Sequence, residues 1–118
     1  MNTHLPIEKM SSAERRVAVY ISSLKLHCDY EYPVHVFDKQ GRYRTWTPDF
    51  RLPELGLYVE VVGIQSNKNY DFRGAIFEHN RVDIVFVHIQ RADWREELWN
   101  GIINIQNRRA IMLKNRQV

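Results

Sequence analysis

Apolar residues recur at helical spacing from Ser11 or Ser12 to Leu26, where Val17, Ile21 and Leu24 form a stripe that Met10, Ala13 and Ala18 fill out. Ser11 or Ser12 is placed to cap this helix, and Glu14 follows at capping-box distance. The pattern then changes period. Tyr30 to Phe37 is rich in aromatic and β-branched residues, Asp38-Lys-Gln-Gly-Arg42 reads as a turn, and a return strand runs from about Tyr43 to Leu52. Pro33 has no N–H to donate, so the first of these strands is expected at an edge or with a bulge.

A turn at Pro53-Glu-Leu-Gly56 leads to a third strand, Leu57–Val62. After the polar stretch Gln65–Asn69, a helix is expected over Tyr70–Asn80, carried by Phe72, Ala75 and Ile76. Val82–His88 is a continuous apolar run of strand length, the pattern of a strand covered on both faces. Its place after a helix suggests a crossover and parallel pairing. The last helix starts at a cap, Asp93, with Glu96 three residues on, and Leu98, Ile102 and Ile105 carry it to about Asn107. The order is helix, three strands, helix, strand, helix. No repeat, linker or low-complexity segment divides it.

Composition narrows what such a chain does. With 118 residues and 44% apolar content it forms one domain with a real core, residues 1–118, and is too short for two. A net charge of +3 is mildly basic, and residues 107–118 carry Arg108, Arg109, Lys114 and Arg116 with no acid. That permits a polyanionic partner without demanding one. The single cysteine, Cys28, excludes an internal disulfide and reads as a small buried hydrophobe in a reducing compartment. No apolar run approaches the roughly 18 residues of a membrane span, and no signal-peptide core opens the chain. No membrane is expected as a partner, and the expected setting is intracellular and cytoplasmic.

One pair of residues stands out from this frame. If Leu52 pairs with Leu57, the antiparallel register sets Asp49 opposite Glu60 as well. Opposed residues on one sheet face have Cβ atoms roughly 4.5–5.5 Å apart, where like charges repel. Such a pair calls for a cation. Mg²⁺ takes oxygen ligands, keeps several waters and needs only one or two carboxylates. It also neutralises charge on a phosphate and lowers the pKa of an attacking water. The alternative is that both acids pair with Arg51, Arg44 or Lys68 on a solvated face. Glu14 has two readings of equal weight, as a capping-box residue or as an acid beside the site.

Ser11-Ser-Ala-Glu14 on a first helix, Pro48-Asp-Phe50, and Val59-Glu-Val-Val-Gly63 on a strand, in this element order, resemble the PD-(D/E)xK nuclease superfamily, in a compact single-domain variant. The resemblance covers nearly the whole chain. It implies an α/β fold with a restriction endonuclease-like α-β-β-β-α-β core, a mixed central sheet flanked by helices and a C-terminal helix. It implies a metal-dependent DNA endonuclease, with Asp49, Glu60 and the Val61 carbonyl holding Mg²⁺, or Mn²⁺ as a substitute, and with Glu14 in a catalytic role. DNA is the implied partner, and a homodimer is expected because one active site cuts one strand. A nucleoid-associated, phage or mobile-element protein would fit that reading.

The chain departs from the family pattern at Val62, where the superfamily usually carries lysine. A replacement cation is sought in Lys68 or Arg73, with Gln65 orienting water. Arg73 with Tyr70 at i, i+3 is a candidate phosphate holder. Arg51, Trp46, Arg108 and Arg109 are further candidates for nucleic-acid contact, Trp46 or Tyr43 by stacking on bases and the C-terminal arginines by phosphate contact. Trp94 and Trp99 are expected to pack on the sheet. The missing lysine equally motivates a nuclease fold that binds nucleic acid without cutting it. A protein-interaction module with a merely structural acidic pair is a third reading. The histidines show no His-x-x-x-His spacing, and no Cys-x-x-Cys occurs, so zinc is not expected.

Overall fold

The computed structural model describes residues 5–63 and 70–116. A capping box opens α1, Ser12–Ser23, with the Ser11 hydroxyl accepting from the Glu14 N–H and the Glu14 carboxylate accepting from the Ser11 N–H. Its buried face is Val17, Ala18 and Ile21, the stripe read from the sequence. The strands are β1, Asp29–Tyr30; β2, Val34–Phe37; β3, Tyr43–Trp46; β4, Phe50–Leu52; and β5, Leu57–Val62. Helix α2, Tyr70–His79, leads to β6, Ile84–His88, and α3 covers Trp94–Arg116. The fold is mixed α/β.

Two of the expected strands are broken. The first divides at Tyr32-Pro33, where proline removes a ladder donor, and Glu31 beside it takes a positive φ of 54°. The return strand divides at Thr47-Pro48-Asp49 for the same reason. As a result the strands form two sheets. A four-stranded sheet runs β1-β4-β5-β6, while β2 and β3 form a separate two-stranded hairpin. In the main sheet β4 and β5 are antiparallel and β5 and β6 parallel, so the sheet is mixed. The β5–α2–β6 crossover is the one expected from the apolar run.

Alternation along β5 sends Leu57, Val59 and Val61 into the main core, with Phe50, Leu52, Val85 and Val87 beside them and α1 and α3 above. Fully burying a leucine or phenylalanine of this core stabilises the fold by about 1.5–3 kcal/mol. Tyr58, Glu60 and Val62 take the other face. There Ile76 and Phe77 of α2 close a second, smaller core with Val34 and Val36 of the hairpin. Helix α3 lies close on β6 because Gly101 has no side chain: a Cβ there would stand 2.6 Å from Val85 Cγ1. Trp94 is buried, but Trp99 is 45% exposed, correcting its expected place on the sheet.

Helix α3 also runs nine residues past Asn107, since nothing in Arg108–Arg116 is glycine or proline to stop it. Gly56, at φ 60°, makes the β4–β5 turn in a conformation that glycine adopts freely. No helix among the described residues is long and apolar enough to cross a membrane.

Candidate active site

The β4–β5 register pairs Phe50 with Val59 and Leu52 with Leu57, which carries Asp49 opposite Glu60 as the sequence implied. The Tyr58 N–H points to β6, where it donates to the Asp83 carbonyl. Tyr58 and Arg51 are therefore a non-hydrogen-bonded pair of the β4–β5 ladder, and by alternation so are Glu60 and Asp49. Side chains come closest in such a pair. Both acids also engage the backbone: the Val61 N–H donates to Asp49 Oδ2 at 2.7 Å and the Asp49 N–H to Glu60 Oε1 at 3.2 Å.

Glu60 is 1% exposed and also takes Arg73 Nη1 as a partner, at 2.8 Å. That guanidinium comes from α2 and lies 5.4 Å from the centroid of the Trp46 ring, which rests edge-on against Phe77. Arg73 answers one negative charge of the two. Asp49 responds by holding its proton: burial, then its hydrogen bond to Glu60 and the Glu60 charge, push its carboxyl up to about 8 against the pull of the Val61 N–H. The charge of Glu14 adds to the same shift.

Glu14 is the capping-box residue that one of its readings expected. It closes the capping box and accepts from the Tyr30 hydroxyl at 3.2 and 3.3 Å. Burial, and then the nearby charges of Glu14 and Glu31, make that hydroxyl harder to ionise. Val62 is half-buried on the Glu60 face, opposite His88 in the parallel register. Lys68 and Gln65 lie outside the described residues.

The remaining candidates are spread over the molecule. Arg51 pairs with Asp29 at 3.8 Å and lies over Tyr32, and Arg44 pairs with Asp38, so neither is the partner of the acids. Tyr70 packs edge-on against Phe86, whereas its i, i+3 neighbour Arg73 turns to Glu60. Arg108 and Arg109 both hold Asp83, and Arg109 also donates to the carbonyls of Leu55 and Gly56, at the turn end of β5. The pairing of Arg73 with Glu60 was not read from the sequence. Its available signal was an arginine one turn into the helix that follows the acidic strand.

The donors present fit a hard cation. Alternation sends the Val61 backbone toward β4, where the residue opposite is Pro48, which has no N–H for the Val61 carbonyl. That carbonyl and two carboxylates suit an ion that keeps most of its waters. Among the described residues no three His, Cys, Asp or Glu side chains gather into a metal-binding group. No family model, curated protein or solved structure matches this chain.

Proposed function

We propose that this chain is a metal-dependent DNA endonuclease of the PD-(D/E)xK type, hydrolysing phosphodiester bonds on a restriction endonuclease-like core. The observation that carries the reading is a buried, register-opposed pair of carboxylates that, among the described residues, one arginine leaves short of a positive charge. Asp49, Glu60 and the Val61 carbonyl would hold Mg²⁺ or Mn²⁺, which supplies charge neutralisation and a more acidic water. Asp49 would bind the ion as its carboxylate, so binding releases the proton it holds near neutral pH.

Arg73, held by Glu60 and lying by the Trp46 ring, would replace the missing motif lysine as a phosphate-facing cation. Lys68 and Gln65 remain candidates for phosphate contact and water orientation. Glu14 adds negative charge beside the site, a homodimer would cut both strands, and the protein would act on DNA inside the cell.

The test is cleavage of plasmid, linear and branched DNA with Mg²⁺ or Mn²⁺. Asp49→Asn and Glu60→Gln should each reduce it to background; full activity in either variant, or in chelator, sinks the proposal. A second reading is favoured by Val62 and by the engagement of Arg73 with Glu60: a nuclease fold that binds nucleic acid without cutting. It keeps salt-dependent DNA binding and shows no cleavage with any divalent metal. Thermal melting separates metal binding from chemistry. An ion at a hundred times its dissociation constant adds about 2.7 kcal/mol to folding, and Asp49→Ala should remove that shift.

A further inference from the structure

The β2–β3 hairpin has two unlike faces. Val34 and Val36 bury one of them on α2, and His35, Phe37, Tyr43 and Thr45 present the other to solvent. Phe37 is 53% exposed and Tyr43 58%, unusual for large rings that share one small surface. They pair across the hairpin in register, ring centroids 6.1 Å apart, and the His35 ring lies nearly parallel to Tyr43 at 5.5 Å.

This surface is braced from behind. Asn80, just after α2, accepts from the Phe37 N–H and donates to the Phe37 carbonyl, both at 2.8 Å. Both backbone groups of Phe37 thus turn away from β3, which makes Phe37 and Tyr43 a non-hydrogen-bonded pair with side chains at closest approach. Rings exposed on a clamped backbone lose little further freedom when a flat partner stacks on them.

Charge selects the partner. Residues 34–46 carry Lys39, Arg42 and Arg44 against a single acid, Asp38. That acid is 5% exposed and is covered by both arginines at 3.2 and 3.3 Å, with the backbone N–H of Arg42 and the arginine contacts holding its carboxyl below the usual range. The negative charge is buried and the positive ones face solvent. Arg42 and Arg44 lie with Asp38 on the Val36 face, so the rings sit on a hairpin whose net charge is positive. Exposed rings on such a hairpin match the π-faces and phosphates of unpaired nucleotides; a duplex keeps its bases stacked inside.

We infer that the Phe37–Tyr43 face of the β2–β3 hairpin is a stacking platform for an unpaired strand of nucleic acid. The chain runs from this hairpin through Trp46 and Pro48 directly to Asp49. The inference rests on the nucleic-acid reading above for its class of partner, and not on metal binding or cleavage.

The experiment is fluorescence anisotropy at low salt with labelled oligothymidylate, oligouridylate and a duplex of equal length. The intact protein should bind single strands more tightly than duplex, a preference between the first two probes naming DNA or RNA as the source. The double variant Phe37→Ala, Tyr43→Ala should bind single strands about tenfold or more weakly and duplex within about twofold of the parent. Phe37→Trp keeps a stacking face and should keep the affinity, which separates lost stacking from a damaged hairpin. Lys39→Gln should lower the salt slope by about 0.7. The binding is measured in chelator, so its outcome is separate from metal binding and cleavage. Parental single-strand affinity in the double variant, an equal loss on duplex, or no single-strand binding by the intact protein would overturn the inference.

Discussion

The two ends of β5 carry opposite charge problems. At the turn end, one acid, Asp83, meets two arginines, Arg108 and Arg109, at 2.5 and 2.7 Å. At the other end, two acids, Asp49 and Glu60, meet one arginine among the described residues, Arg73, which bonds Glu60. Surplus cation costs little, because Arg108 is largely exposed and water solvates what Asp83 does not. Surplus acid costs more: Glu60 is buried, and Asp49 meets the shortage by keeping a proton well above its ordinary value. The first arrangement is a latch that ties α3 to the β4–β5 turn. The second leaves Asp49 holding a proton.

Removing the one arginine at the acidic end should have the largest effect on stability. Arg73→Met leaves Glu60 buried without its ion pair, and breaking such a pair costs about 3–5 kcal/mol. Thermal melting should show the fall, and Mn²⁺ should recover part of it if the acids bind metal. A change below about 1 kcal/mol would show that Glu60 does not depend on Arg73, and the contrast between the two ends would lose its basis.

The pH dependence comes next. The Asp49 carboxyl titrates near 3.8 when unfolded and near 8 when folded, so between those values the folded state holds a proton that the unfolded state has released. Stability therefore falls as pH rises through that window, by at most about 1.4 kcal/mol per unit, and levels off above it. Asp38 and Glu54, whose carboxyls are held low, act in the opposite sense and at lower pH, where their contribution is lost on acidification. Asp49→Asn should flatten the fall between about pH 5 and 8 in a series of melts. An unchanged slope in that variant would show that Asp49 is not the group holding the proton.

The turn end should yield the smallest effects. Arg109→Ala removes hydrogen bonds to Asp83 and to two backbone carbonyls and should cost about 1–2 kcal/mol. Arg108→Ala, at an exposed position, should cost under about 1 kcal/mol. Neither should alter a metal-induced rise in melting temperature, since both residues sit at the far end of the strand from Asp49. A loss of that rise in Arg109→Ala would join the two ends into one site.

Much of this contrast was legible along the chain, and the parts that were not share a cause. Alternation in Phe50–Leu52 and Leu57–Val62 with a short turn at Pro53–Gly56 leaves few registers that bury both leucines, so the facing of Asp49 and Glu60 follows from local pattern. Pro48 carried a warning that went unread. A proline inside an apparent strand argues for a break, and the break both frees the β2–β3 hairpin and withholds a donor from the Val61 carbonyl. The extension of α3 was missed because its apolar stripe ends at Ile105 while its helix-forming residues continue.

The cation beside the acids depended on packing. Arg44, Arg51 and Lys68 are the partners the sequence suggests, and the first two are claimed by Asp38 and Asp29. How α2 lies across the sheet, set by Ile76 and Phe77 against the hairpin, brings Arg73 to Glu60 under the Trp46 ring. Strand pairing over a short turn is a local matter of period and register, and one sequence states it. Which charge meets which across thirteen residues and a helix is a matter of three-dimensional packing, and the chain's linear pattern leaves it open.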